Sequence, residues 1–236
     1  MASPDKKNVE KNRLIKKRRV MRYFIDAARE IANEEGLSGV TIRSVADRAG
    51  YNSASLYNYF ENLNQLMAFT SIDLVADWLH ELTEIMEGDG DALDKYIMGW
   101  KTFSQHSFQD PTGFAYIYAS ENTDMVIKYF EEYFEIFPEP GENIPDDILN
   151  LYKMKTLVDQ EKLMIAPCVK AGFFNAEDAD SIYNLALLLH NGLLWTATKT
   201  NNEKTPQELS NIYMKYFVEY IQMKLKKTKD LTKYMP

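Results

Sequence analysis

Between Thr41 and Phe60 the chain reads T-I-R-S-V-A-D-R-A-G-Y-N-S-A-S-L-Y-N-Y-F, which leaves room for two short helices and almost nothing between them. Ile42, Val45, Ala46 and Ala49 recur at i, i+3, i+4 and i+7, so one face of the first helix is apolar while Arg43, Ser44, Asp47 and Arg48 point outward. Gly50 offers the left-handed backbone geometry that ends a helix. Asn52 or Ser53 can cap the second helix, and Leu56 and Phe60, four apart, supply its buried side. Ser53, Ser55, Tyr57, Asn58 and Tyr59 are left to meet something outside. Two brief helices joined this tightly make a helix-turn-helix.

The rest of the chain also reads as helix, with no sustained period-two alternation, so the predicted fold class is all-α. Residues 16–35 carry Met21, Phe24, Ile25, Ala28, Ile31 and Ala32 as one stripe, ended by Gly36. A helix starting near Asn62 runs to the break at Gly88-Asp89-Gly90-Asp91. Further helices are expected over 92–108, 111–121, 123–137, 146–171, 176–199 and 206–227, with a loop at 138–145 and a kink or break near Ala166, ahead of Pro167. The division expected is a basic arm and helix-turn-helix domain over 1–62 and a larger helical domain over 63–236.

The net charge of −8 is unevenly divided: residues 1–62 hold 12 Lys and Arg against 8 Asp and Glu, and the remainder holds 15 against 27. Lys6, Lys7, Lys11, Arg13, Lys16, Lys17, Arg18, Arg19 and Arg22 precede or open the first helix, where a flexible arm would approach phosphates or a minor groove. Alone, such a run reads as a solvated tail; beside a helix-turn-helix, nucleic-acid contact is the better reading.

Thr41, Val45, Ala46, Ala49, Gly50, Leu56, Tyr57, Tyr59, Phe60 and Leu66 together resemble the DNA-binding motif of the TetR (tetracycline-repressor-like) family of bacterial transcription regulators. The resemblance is specific over residues 20–67. Tyr51 stands for the usual small aliphatic, Asn52 for the usual Ser or Thr, and Leu63 for a Lys that in the family touches a DNA phosphate. It implies a DNA-reading head made of Lys16, Lys17, Arg18, Arg19, Thr41, Arg43, Ser53, Ser55, Tyr57 and Tyr59. Arg43 is the best base-edge donor, because a guanidinium bonds guanine bidentately.

The run Ile182 to Ala197 is apolar almost all round, and the next helix repeats the demand with Ile212, Tyr213, Tyr216, Phe217, Tyr220, Ile221 and Leu225. Small residues Ala186 and Gly192 permit close approach of another helix. A buried core helix is the competing explanation; the resemblance implies a four-helix homodimer interface. It also implies an effector cavity among the middle helices. Tyr96, Trp100 and Phe103 at i, i+4 and i+7, Phe114 and Tyr118, and Tyr152 with Thr156 form a candidate lining where ordinary core is the alternative.

No catalytic or metal motif is readable. His80, His106 and His190 are widely spaced, and Cys168, alone, reads as a small buried residue in a reducing compartment. No cofactor or metal is expected, and no apolar run is long enough to cross a membrane, so the expected location is cytoplasmic. The expected protein is not an enzyme. It is a homodimeric repressor released from a palindromic DNA operator by a small apolar or aromatic effector, since the middle helices supply rings and few charges. The alternative is a helical ligand-binding or adaptor protein of the same fold without operator binding.

Overall fold

The computed structural model describes residues 4–118, 123–138, 144–152, 157–199 and 202–236, the side chains of 4–7, 10, 118, 123–124, 152 and 157–158 lying outside that description. Among the described residues there are helices and turns and no strand. Helix α1 spans Pro4–Glu35, α2 Ile42–Arg48, α3 Ser53–Leu56, α4 Leu63–Glu87, α5 Ala92–Gln109 and α6 Pro111–Tyr118. Then follow α7 Thr123–Ile136, α8 Asp146–Tyr152, α9 Leu157–Lys170, α10 Ala176–Ala197 and α11 Pro206–Lys224.

Helix ends follow local chemistry. Thr41, Asn52 and Asn62 accept hydrogen bonds from backbone amides three residues on and so start α2, α3 and α4. Asp91 with Asp94, and Thr205 with Glu208, form capping boxes at α5 and α11. Gly36 and Gly50 both take φ of 77°, the left-handed geometry that releases the chain from α1 and turns it between α2 and α3.

One expectation is corrected. α1 begins at Pro4, so the basic residues 11–19 lie on a continuous helix and not on a flexible arm; with no Gly or Pro after Pro4, nothing interrupts the helical backbone before Gly36. Of the helix expected over 146–171, Asp146–Tyr152 (α8) and Leu157–Lys170 (α9) are helical, and residues 153–156 lie outside the described residues. Of the kink or break expected near Ala166, the break is absent, since α9 runs through Pro167 to Lys170.

α4 is the central strut, packed against α1, α5, α6 and α7, while α10 and α11 close over α5 and α9. An aromatic ladder carries the core from the helix-turn-helix into the larger part. Phe24 meets Phe60 at 6.3 Å, Phe60 meets Phe69 at 5.6 Å and Phe69 meets Tyr133 at 5.5 Å. The boundary expected at 62/63 coincides with the Asn62 cap of α4, but the hydrophobic core is continuous across it.

Polar links hold α1 to the same body. Arg22 pairs with Asp73 on α4, which also accepts from the Tyr133 hydroxyl, and its guanidinium lies 4.6 Å above Phe137. Buried Asp110, between α5 and α6, accepts from Arg29 Nε at 2.8 Å and Asn33 Nδ2 at 3.3 Å, and its other oxygen caps Gly113 N at 3.1 Å. Asp110→Ala removes a cap and a charge-assisted bond together, so chemical denaturation is expected to show a loss of about 2–3 kcal/mol. A change within 0.5 kcal/mol would mean that Arg29 and Asn33 rehydrate without cost.

Candidate functional site

The reading face is built by α1, α2 and α3. Val45, Ala46 and Leu56 are buried as expected, while Ile42 and Ala49 are only partly covered. Arg43 projects at 89% side-chain exposure beside a 3.8 Å pair to Asp47; a pair so exposed restrains it little. Tyr57 is exposed and Ser53 half-buried. Thr41 and Ser55 are partly committed: Thr41 Oγ1 accepts from Ser44 N at 3.0 Å, and Ser55 Oγ donates to Asn52 Oδ1 at 3.1 Å. Tyr59 leans on Phe24 at 6.0 Å and is half-buried, so its hydroxyl end alone is left for contact.

Tertiary folding adds what the motif lacked. Val9, Asn12, Arg13, Lys16 and Lys17 recur on one face of α1 and line a groove of about 530 Å³ with Asn58 and Tyr59. Lys16 and Arg19 are exposed, Lys17 and Arg18 half-buried. Leu63, in place of the family's Lys, packs against the core and brings no charge. Arg48 turns away from this face, bonding Glu34 at 2.8 Å and Glu30 at 3.3 Å.

A second site lies between α4, α5 and α9. Tyr96, Trp100 and Phe103 share a cavity with Trp78, Leu82, Leu151, Gln160, Glu161 and Met164. Tyr96 and Trp100 point their polar ends at one carboxylate oxygen: Tyr96 donates to Glu161 Oε2 at 3.2 Å and Trp100 Nε1 at 3.0 Å. Desolvation outweighs these two bonds and pushes the Glu161 carboxyl up to about 8. This carboxyl is a lining residue that the sequence analysis did not name. No sequence motif marks it, because its partners sit about sixty residues away.

Phe114 does not line the cavity; it is buried behind it, 5.8 Å from Phe103. Tyr118, Tyr152 and Thr156 lie outside the described side chains. Trp100 and Phe103 are both lining and core, since Trp100 packs on Tyr213 at 5.5 Å and Phe103 on His190 at 4.7 Å.

Ser107 Oγ and His190 Nε2 are 2.7 Å apart, a serine–histidine pair invisible in the sequence. Both are fully buried, with Phe108 stacked on the imidazole at 5.3 Å, and desolvation lowers the imidazole to about 4. No substrate reaches this pair, so it reads as a polar contact within the core. Cys168 is likewise buried, its thiol donating to the Ala92 carbonyl at 3.2 Å and pushed up to about 12. Among the described residues no group of three or more His, Cys, Asp or Glu could hold a metal ion, and no helix is long and apolar enough to cross a membrane.

The third feature is an apolar face on the last two long helices. Leu188 and Trp195 on α10, at 71% and 64% exposure, flank Gly192, where an added Cβ would meet nothing within 4 Å. Tyr216 and Met223 on α11 are exposed too. Ala186, expected at the interface, is fully buried within the protomer.

The family described as "Bacterial regulatory proteins, tetR family" matches residues 24–68, the segment that holds α2 and α3. No curated protein matches the chain in sequence. Solved structures share the fold over most of its length. A transcriptional regulator from Rhodococcus sp. Rha1 is 16% identical, with a TM-score of 0.56 over 89% of this chain and 99% of that one. The ketosteroid transcriptional regulator KstR2 of Mycobacterium tuberculosis is 16% identical, with a TM-score of 0.56 over 88% and 95%. The transcriptional regulator FadR from Bacillus subtilis, in complex with stearoyl-CoA, is 15% identical, with a TM-score of 0.53 over 84% and 97%. The helix-turn-helix segment thus matches the tetR family of bacterial regulatory proteins, and the fold shared with these regulators extends over most of the chain behind it.

Proposed function

We propose that the protein is a homodimeric repressor that reads a palindromic DNA operator with residues 1–62 and is released when a small molecule enters the cavity beside α5. The observation that carries the reading is the groove in which Arg13, Lys16 and Lys17 of α1 meet Asn58 and Tyr59 at the end of the reading helix. Cations grip phosphates and set the position, and Arg43 beside them is free to test a base edge. Dimerisation through Leu188, Gly192, Trp195, Tyr216 and Met223 supplies the second head, and its two-fold axis dictates the operator's symmetry.

The cavity has about 40 Å³ open to the centres of water-sized spheres, room for about three waters. That favours a small effector over one with a long chain. α5 carries the cavity rings at one end of a rigid helix and leads into Asp110, which holds Arg29 of α1. Occupation of the cavity then biases the setting of the reading heads, and a tenfold loss of operator affinity needs only about 1.4 kcal/mol of coupling.

An electrophoretic shift with the DNA upstream of the protein's own coding sequence tests the proposal. A specific complex is expected, and its absence on that DNA and on selected random sequences would favour a helical ligand-binding or adaptor protein. Arg43→Ala is expected to cost about 1–3 kcal/mol at one operator position in a binding-site selection. A loss spread evenly over all sequences would make Arg43 a phosphate contact.

A further inference from the structure

The cavity beside α5 has a specific chemical composition. Four of its walls are aromatic faces, from Trp78, Tyr96, Trp100 and Phe103, and the carboxyl of Glu161 is the sole ionisable acid or base among its lining residues apart from the Tyr96 phenol. Both ring donors bond Glu161 Oε2, leaving Oε1 without a hydrogen bond among the described residues. Trp78 Nε1 is buried with no partner. Leaving a carboxylate among rings without a countercharge is unfavourable, and aromatic faces attract cations most strongly when water is excluded.

We infer that the cavity is a binding site for a small organic monocation, an alkylammonium whose charged head sits among Trp78, Trp100 and Phe103 against Glu161. The volume suits an ammonium bearing a few methyl or methylene groups. Neutral molecules of that size gain the contact area alone, and anions oppose ionisation of the carboxyl; only a cation adds a charge pair with it and the attraction of the ring faces. At neutral pH the empty site keeps the Glu161 proton, and arrival of a permanent cation expels it to solvent. Among the described residues no Lys, Arg or His lines the cavity to compete for the carboxylate.

This rests on the reading of the cavity as the effector site, and the two are separable by experiment. Tetramethylammonium, which has no proton to give, and tert-butanol, a neutral molecule of similar size, are titrated into the full-length protein by calorimetry in two buffers of different protonation enthalpy. Saturable binding of tetramethylammonium with proton release at pH 7 is expected, with tert-butanol weaker by about tenfold or more. Glu161→Gln keeps the shape and both ring hydrogen bonds; it is expected to weaken the cation by about tenfold or more and abolish proton release, with an intact thermal transition. Trp100→Phe, which keeps a ring and removes one donor to Glu161, is expected to bind the cation with reduced affinity.

No saturable cation binding, equal binding of tert-butanol, or undiminished binding by the Glu161→Gln protein would overturn the inference. Operator affinity is measured on the same preparations. Uptake of the cation without any change in operator affinity keeps the cation site and refutes the regulatory role. Release of operator by uncharged molecules, independent of Glu161, refutes the cation site and keeps that role.

Discussion

Changing Arg13, Lys16 and Lys17 together to Ala is expected to flatten the salt dependence of operator binding by about 2–3 units of slope in log Kd against log salt. Each phosphate neutralised releases about 0.9 counterion from duplex DNA, so three lost contacts account for the change, and near physiological salt the affinity falls by tens to hundreds-fold. All three side chains line the groove shared with Asn58 and Tyr59. Fold and dimerisation are expected to be untouched, since Arg13 and Lys16 are exposed and Lys17 half-buried. An unchanged slope would remove α1 from the interface and leave Arg43 and the α3 residues to carry it alone.

Gly192→Arg is expected to convert the dimer to monomers at micromolar concentration while leaving the protomer folded. Within one chain an added Cβ at Gly192 meets nothing within 4 Å, so the substitution has space and no internal clash. In the proposed dimer the same position lies in the apolar face of Leu188 and Trp195, where a guanidinium must be desolvated without a partner. Sedimentation of the variant checks the result, and operator affinity is expected to fall with it by about a hundredfold or more, because one head loses the effective concentration supplied by the other. A variant that remains dimeric places the interface elsewhere; one that unfolds shows that α10 is held by more than its own chain.

Much of this was legible from local spacing. Thr41, Gly50, Asn52 and Asn62 act at the positions where capping and turn chemistry put them, because a cap depends on amides two or three residues away. The apolar periodicities of α4, α5, α10 and α11 predicted helices whose ends lie within a few residues of those found. The start of α1 was misjudged because the stripe that marks helices reports a buried face, and the described side chains before Lys16 bury none: Leu14 and Ile15 are exposed.

The sequence alone determined the helix-turn-helix, its outward residues and the all-helical frame, since each depends on contacts within one or two turns of backbone. Tertiary structure decided which of those residues act together. It drew Lys16 and Lys17 to Asn58 and Tyr59, across some forty residues, and set Glu161 against Tyr96 and Trp100, across some sixty. It likewise separated Phe114 and Ala186, which are core, from Trp195 and Gly192, which face outward on helices apolar nearly all round. Periodicity says that a face is apolar; only the packing of neighbouring helices decides what covers it.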